Sequence, residues 1–409
     1  METGRKRKTG GGQVTRRGFM AKAGAAALTF SIIRPELVRG TAANSKIRLG
    51  LIGCGGRGTW IAELFAEHGG YEIAAAADYF EERVDEFGEK LNVAKGRRFT
   101  KLSCYKKLLE EKLDAAAIIS PPYFHPEQAA AAVEAGVHVY LAKPIAVDAP
   151  GCRQINSLGK TASLRGRCFL VDFQTRANEF YIEAVKRVHN GDIGELVFGE
   201  ASYHCGRLDI KAEPGTAEAR LKNWVFDKAL SGDIITEQNI HTLDVASWVM
   251  NEEPLYAFGS GGRKVRTDVG DCWDYYTLVF QYPNDVGITF NSRQFNGHGT
   301  REGIINRMFG SEGVLETEYG GKVMIRGKNF YRGGDTTEIY KEGAVNNIAR
   351  FYEDVTKKQF DNPTVGPSVR SNLVTILGRT AAYERRQVKW GEIVNSNERM
   401  VADLSGLEA

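Results

Sequence analysis

Two stretches of the chain combine residue types and spacing that suit chemistry. Gly53-Cys54-Gly55-Gly56-Arg57-Gly58 follows the apolar run Lys46 to Leu51 and precedes apolar residues at helical spacing from Thr59 to Glu67. A G-x-G-x-x-G loop between a strand and a helix makes a tight turn and brings backbone N–H groups to a pyrophosphate at the helix N-terminus. Asp78 ends the next apolar run, from Tyr71 to Ala77. It falls roughly 20 to 25 residues after the first glycine, where a carboxylate accepts the two ribose hydroxyls of NAD and repels a 2′-phosphate. Gly53, Gly55, Gly56, Arg57, Gly58 and Asp78 are therefore expected to hold NAD in preference to NADP. The second stretch runs from Gly232 to Trp248 and contains Glu237 and His241. Read as one continuous helix, the i, i+4 spacing puts both on one face, so a carboxylate can orient an imidazole that takes a proton. A histidine that is merely packed or solvated fits the same spacing. Metal ligation by the pair finds no third ligand of suitable spacing, so no metal is expected.

These residues need elements to position them. Tyr71–Ala77 completes a βαβ unit, and a second alternation follows: a strand Ala115–Ile119, a helix from about Pro126 to Ala135, and a strand Val137–Leu141. The expectation is an α/β protein whose first domain, residues 44–165, is a Rossmann domain with a parallel sheet. Beyond Arg165 a helix spans Asn178 to Val188. Alternating β-rich runs follow at 196–203, 275–282, 286–294, 304–309, 314–318 and 323–326. Helices near 345–356 and 369–385 close the chain. Residues 166–409 are thus expected to form a C-terminal α/β domain with an open, mostly antiparallel sheet, its closing helices packing back on the first domain. With 409 residues, two cores are expected, because single cores rarely exceed ~250 to 300 residues.

The formal net charge of +3 comes from the first segment. Residues 1–43 carry nine Lys or Arg against two acids, and the rest of the chain holds 45 against 49. That balance excludes nucleic acid and anionic membrane as evident partners. Arg5-Lys6-Arg7-Lys8, then Thr15-Arg16-Arg17-Gly18-Phe19-Met20, then a weakly apolar run to Ile33, resembles a bacterial twin-arginine signal. The resemblance implies export by the twin-arginine machinery to the periplasm, with cleavage after Gly40 or Ala43. Six scattered cysteines show no C-x-x-C pair, and no disulfide is expected.

Further motifs carry a family likeness. Ile119-Ser120-Pro121-Pro122-Tyr123-Phe124-His125 is followed by Ala135-Gly136-Val137-His138-Val139-Tyr140-Leu141-Ala142-Lys143-Pro144. With Gly191-Asp192-Ile193-Gly194, Ala381-Ala382-Tyr383 and Val388-Lys389-Trp390, they resemble the glucose-fructose oxidoreductase and inositol dehydrogenase (Gfo/Idh/MocA) family. The resemblance implies a homo-oligomer formed through the C-terminal sheet. It adds Pro121, His125 and Lys143 to the cofactor site. The family's Glu-Lys-Pro is Ala142-Lys143-Pro144 here, so the lysine between nicotinamide and substrate maps onto Lys143 and the glutamate is absent. It also implies His241 as acid/base, with Glu237 where relatives carry Asp.

The expected activity is oxidation or reduction at a secondary hydroxyl of a sugar, sugar acid or cyclitol, with Lys143, His241 and Glu237 as catalytic residues. Gln174 and Arg176, after a strand ending at Phe173, and Arg293 and His298, on or after a later strand, are candidate substrate contacts or ordinary polar residues at a sheet edge. Two rival readings remain. One is a redox-neutral glycosidase that keeps its NAD and works through a keto sugar. The other is a non-catalytic sugar-binding protein, suggested by Ala142.

Overall fold

The computed structural model describes residues 46–409, so the twin-arginine segment lies outside the described residues. β1 (Ile47–Ile52), β2 (Tyr71–Asp78), β3 (Arg98–Thr100), β4 (Ala115–Ile118), β5 (His138–Ala142) and β6 (Phe169–Asp172) form one sheet. Their order is β3-β2-β1-β4-β5-β6, and every pairing is parallel. β4 and β6 are buried at every residue, as parallel strands covered on both faces must be. Helices Gly56–His68, Glu81–Lys90, Cys104–Glu110, His125–Glu134 and Ala149–Leu164 make the crossovers. The last is started by Asp148, whose carboxylate accepts from Gly151 N at 2.7 Å, with Pro150 in the first turn. Strand order reverses between β1 and β4, which opens a crevice at the carboxyl ends of these strands. The sheet also runs past residue 165, where the sequence reading ends it. β6 pairs with β5 from Val139↔Phe169 to Ala142↔Asp172, which brings Asp172 beside the end of β5.

The second sheet contains nine strands: β7 (Leu196–Cys205), β8 (Tyr256–Gly262), β9 (Tyr275–Gln281), β10 (Gly287–Gln294), β11 (Gly303–Gly310), β12 (Gly313–Glu318), β13 (Lys322–Gly327), β14 (Tyr331–Asp335) and β15 (Val388–Lys389). Only β7 and β10 pair in parallel; all other neighbours are antiparallel. Burial alternates along β9 and β10, so one face packs on helices and the other does not.

The closing helices tie the two sheets together. In Ile339–Thr356, Ala344, Ile348 and Phe351 share a buried cluster with Leu49, Phe65 and Tyr140 of the first domain. In Val365–Glu384, Asn372 accepts from Ile145 N at 3.1 Å. Arg379 donates to Val147 O at 2.9 Å and Gly232 O at 2.7 Å. That one buried guanidinium links the chain just after Lys143 to the chain just before Glu237. All six cysteines are free thiols, five of them buried.

Candidate active site

At the end of β1, Gly53 has φ +99°, and a Cβ there would lie 2.7 Å from the backbone of Ile119 and Ser120. Gly58 is tighter, since its Cβ would sit 1.7 Å from Gly53 O. Only glycine lets the turn and the following helix approach this closely. Helix Gly56–His68 has no acidic residue in its first turn and no side chain capping its N-terminus, and open space surrounds Gly56. Its free N–H groups and positive dipole end therefore face an open cleft that Gly53, Gly55, Asp78, Pro121, Leu221 and Trp224 help to line. The Asp78 carboxylate accepts from Cys54 N at 2.8 Å and Phe80 N at 3.0 Å, which fixes it at the end of β2. Burial pushes its pKa up, and those two N–H groups oppose the shift. A glycine cradle with free amides and a fixed carboxylate fits a dinucleotide: the amides suit its pyrophosphate and Asp78 its ribose.

Two features of this end were missed in the sequence. Leu221 and Trp224 come from the second domain, and the C-terminal tail packs Ala402, Leu404 and Leu407 into the same apolar cluster as Phe80. Glu408 N donates to the Tyr79 hydroxyl at 3.2 Å, and its carboxylate pairs with Lys101 at 3.0 Å. His125, expected at the cofactor, is buried instead. Its ring nitrogens lie 2.8 Å from Pro144 O and 2.8 Å from Ser120 O, so it braces the loops after β4 and β5. Burial pushes its pKa down to about 4, opposed by the two carbonyls, only one of which a neutral ring can donate to.

At the other end Lys143 leaves β5 with Nζ 2.8 Å from Glu237 O and 3.5 Å from Glu237 Oε1. Burial lowers its pKa, with the Glu237 charge opposing. The helix expected through Glu237 and His241 is broken. Asp233–Glu237 ends one helix and Ile240–Met250 begins another, with Gln238 and Asn239 N–H both directed to Ile234 O. The break turns the Glu237 carboxylate to Lys143 rather than to His241, which corrects the i, i+4 pairing. Neither His241 ring nitrogen has a hydrogen bond among the described residues, and Nδ1 is fully buried. The ring lies 5.3 Å from that of Tyr319. Burial, then the Lys143 and Arg57 charges, hold the imidazole pKa well below its ordinary value, so it is neutral.

Arg57 reaches from the glycine loop into this end. Its guanidinium donates to Asp172 Oδ2 at 2.7 Å and to the Tyr340 hydroxyl at 2.8 Å, beside the rings of Trp60 and Tyr340. Asp172 is completely buried and also accepts from Asn347 at 2.8 Å. A carboxylate closing an otherwise apolar strand was the available sequence signal for Asp172; Tyr340 and Asn347 gave none.

The four suggested substrate contacts are placed less favourably. Gln174 is wholly buried behind Asp172, with Nε2 at 3.4 Å from Oδ2. Arg176 is committed to buried Asp244 through two nitrogens at 2.9 to 3.0 Å and lies over Trp248. Arg293 donates to Cys205 O at 3.2 Å and Phe295 O at 2.6 Å, anchoring the loop that contains His298. His298 is exposed in that loop at φ +51° and makes no hydrogen bond to the Lys143 cluster. The structure thus gathers Arg57, Lys143, Glu237 and His241, and leaves these four outside that cluster or behind it.

Known proteins share this architecture. Residues 47–173 match the NAD-binding Rossmann domain of an oxidoreductase family, and residues 181–316 match a C-terminal domain of that family. A myo-inositol 2-dehydrogenase of Thermotoga maritima is 25% identical over 367 residues, spanning 85% of this chain and all of that protein. A glycosyl hydrolase family 109 protein of Shewanella pealeana is 28% identical over 162 residues, 38% of this chain and 35% of that protein. The crystal structure of myo-inositol 2-dehydrogenase from Lactobacillus plantarum superposes with a TM-score of 0.68 at 20% identity, over 84% of this chain and 99% of that one. The glycine cradle, the sheet topology and these matches lead to one conclusion: the chain belongs to the Gfo/Idh/MocA family of NAD-binding oxidoreductases.

Proposed function

We propose that this enzyme is exported and oxidises or reduces a secondary hydroxyl carbon of a sugar, sugar acid or cyclitol. The observation that carries the reading is a buried ammonium, Lys143, beside a neutral imidazole, His241, at the same carboxyl edge of the parallel sheet as the dinucleotide cradle. NAD, when bound, supplies a two-electron acceptor for a substrate C–H. The protein's part is proton handling and charge placement. A neutral imidazole with no internal hydrogen bond is ready to take a hydroxyl proton. The Lys143 ammonium stabilises the developing alkoxide, in a site dry enough to make that interaction count. Glu237 holds Lys143 through both its carbonyl and its carboxylate. His125, which braces the loop after β5, supports the same lysine from behind.

Export rests on the Arg16-Arg17 motif and the basic stretch before it. Self-association through the outer face of the nine-stranded sheet is supported by exposed Val197, Phe198 and Phe258, with Phe198 stacked on Phe309 at 4.3 Å. A second reading, glycoside cleavage through a keto sugar with no net redox change, draws on the stretch similar to the glycosyl hydrolase family 109 protein. Reduced-nicotinamide absorbance against product formed separates the two. With excess NAD, one NADH per oxidised sugar supports the dehydrogenase. Cleaved glycoside without net NADH replaces it with the glycosidase, and no nicotinamide change or cleavage with any sugar removes both.

A further inference from the structure

We propose that the site selects neutral carbohydrates, polyols and glycosides over those carrying a carboxylate or phosphate; this rests on the Lys143 and His241 cluster being where substrate reacts. Four charged side chains meet in that cluster, and they cancel. Lys143 is paired with Glu237 at 3.5 Å, and Arg57 with Asp172 at 2.7 Å. Their side-chain exposures are 10%, 15%, 27% and 0%, so water does little to screen them. His241 adds no charge in its neutral form.

The next cations outward are committed as well. Arg176 is held by buried Asp244 at 2.9 Å, one helical turn from His241. Arg293, beside Cys205 at the end of β10, spends its guanidinium on two backbone carbonyls and Glu302. Among the described residues of this cluster, no cation is free to receive a substrate anion. An incoming carboxylate would either face Glu237 or Asp172 across a low-dielectric space, or take a cation from one of them and leave a buried carboxylate unpaired. A neutral polyol meets neither penalty. Its hydroxyls can donate to Glu237 and accept from Lys143 and Arg57 without disturbing a pair. The sequence reading left sugar acids among the substrates; on this proposal they bind more weakly than their neutral counterparts.

Calorimetric titration of the NAD-loaded full-length protein with matched ligands tests this. The pairs are galactose and galacturonate, methyl glucoside and methyl glucuronide, and myo-inositol and myo-inositol 1-phosphate. The expected result is binding of at least one neutral member about tenfold or more tighter than its anionic partner, roughly 1.4 kcal/mol. Glu237→Gln and Asp172→Asn each leave a cation uncompensated, so each should shift preference toward the anion by a similar factor. If no neutral member binds more tightly than its partner, the proposal is overturned. Because binding is read, failure here is separable from failure of the redox reading. A neutral sugar that binds without changing nicotinamide absorbance defeats hydride transfer and leaves charge selection standing.

Discussion

The dinucleotide cradle and the Lys143 cluster are built from different material. Around Asp78 the shape is set by backbone: a glycine at φ +99°, a second glycine whose Cβ would overlap a carbonyl, and a carboxylate fixed by two N–H groups. Around Lys143 it is set by side chains that converge from distant segments, Arg57 from the first loop, Asp172 from β6, Glu237 and His241 from either side of a helix break, and Tyr340 from a closing helix. The first end should fail through sterics and the second through misplaced charge and protons.

Each end should respond to substitution in its own way. At the reacting end, His241→Ala and Lys143→Met should each lower turnover about 10²- to 10⁴-fold, the range for a positioned acid or base, with bound NAD nearly unchanged. Parallel kinetics and cofactor titration would show it, and equal loss of NAD would mean the two ends are not separable. At the cradle, Gly53→Ala should weaken NAD by roughly two orders of magnitude, about 2.7 kcal/mol, because the backbone of Ile119 and Ser120 must move. Arg57→Met leaves Asp172 buried and unpaired, and should cost about 3 to 5 kcal/mol in denaturant unfolding.

His125 gives the fold a pH dependence of stability. Its folded pKa, about 4, lies below the ordinary 6.5, so the unfolded chain takes up the proton first as pH falls. Stability from the buried neutral ring is complete above pH 6.5 and declines as pH drops toward 4, by up to about 3 kcal/mol. Unfolding titrations from pH 7 to 4.5 should show that slope, and His125→Asn should flatten it. The smallest effect belongs to the C-terminal tail. Leu407→Ala together with Glu408→Ala should speed NAD release a few-fold, as expected for losing part of an apolar contact and one exposed ion pair. Turnover at saturating NAD should not change.

How much of this was legible in the sequence follows the same division. β1, β2, β4 and β5 read correctly because most of their side chains are buried on both faces, and the cradle because its function is written in glycine spacing; β3, three half-buried residues, gave no apolar run. β8 escaped because its last four residues are Gly-Ser-Gly-Gly, and β15 because two residues carry no period. Helix Glu81–Lys90 was hidden by a mostly charged surface, with only Val84, Phe87 and Gly88 buried. The Glu237–His241 pair was misplaced for a tertiary reason. Periodicity assumes an unbroken helix, whereas Lys143 takes the Glu237 carbonyl and carboxylate where the helix ends. The ion pairs between Arg57 and Asp172 and between Arg176 and Asp244 join residues 115 and 68 positions apart, which no local pattern encodes.

The most direct test of the central claim is a single-turnover experiment on protein loaded with one equivalent of NAD. It mixes wild type and His241→Ala with the neutral sugar that binds best and follows reduced nicotinamide in time. A rise in the wild type, with little or none in the variant at equal NAD content, is the predicted result. An equal rise in both, or none in the wild type with sugar bound, would contradict the assignment of proton transfer to His241 beside Lys143.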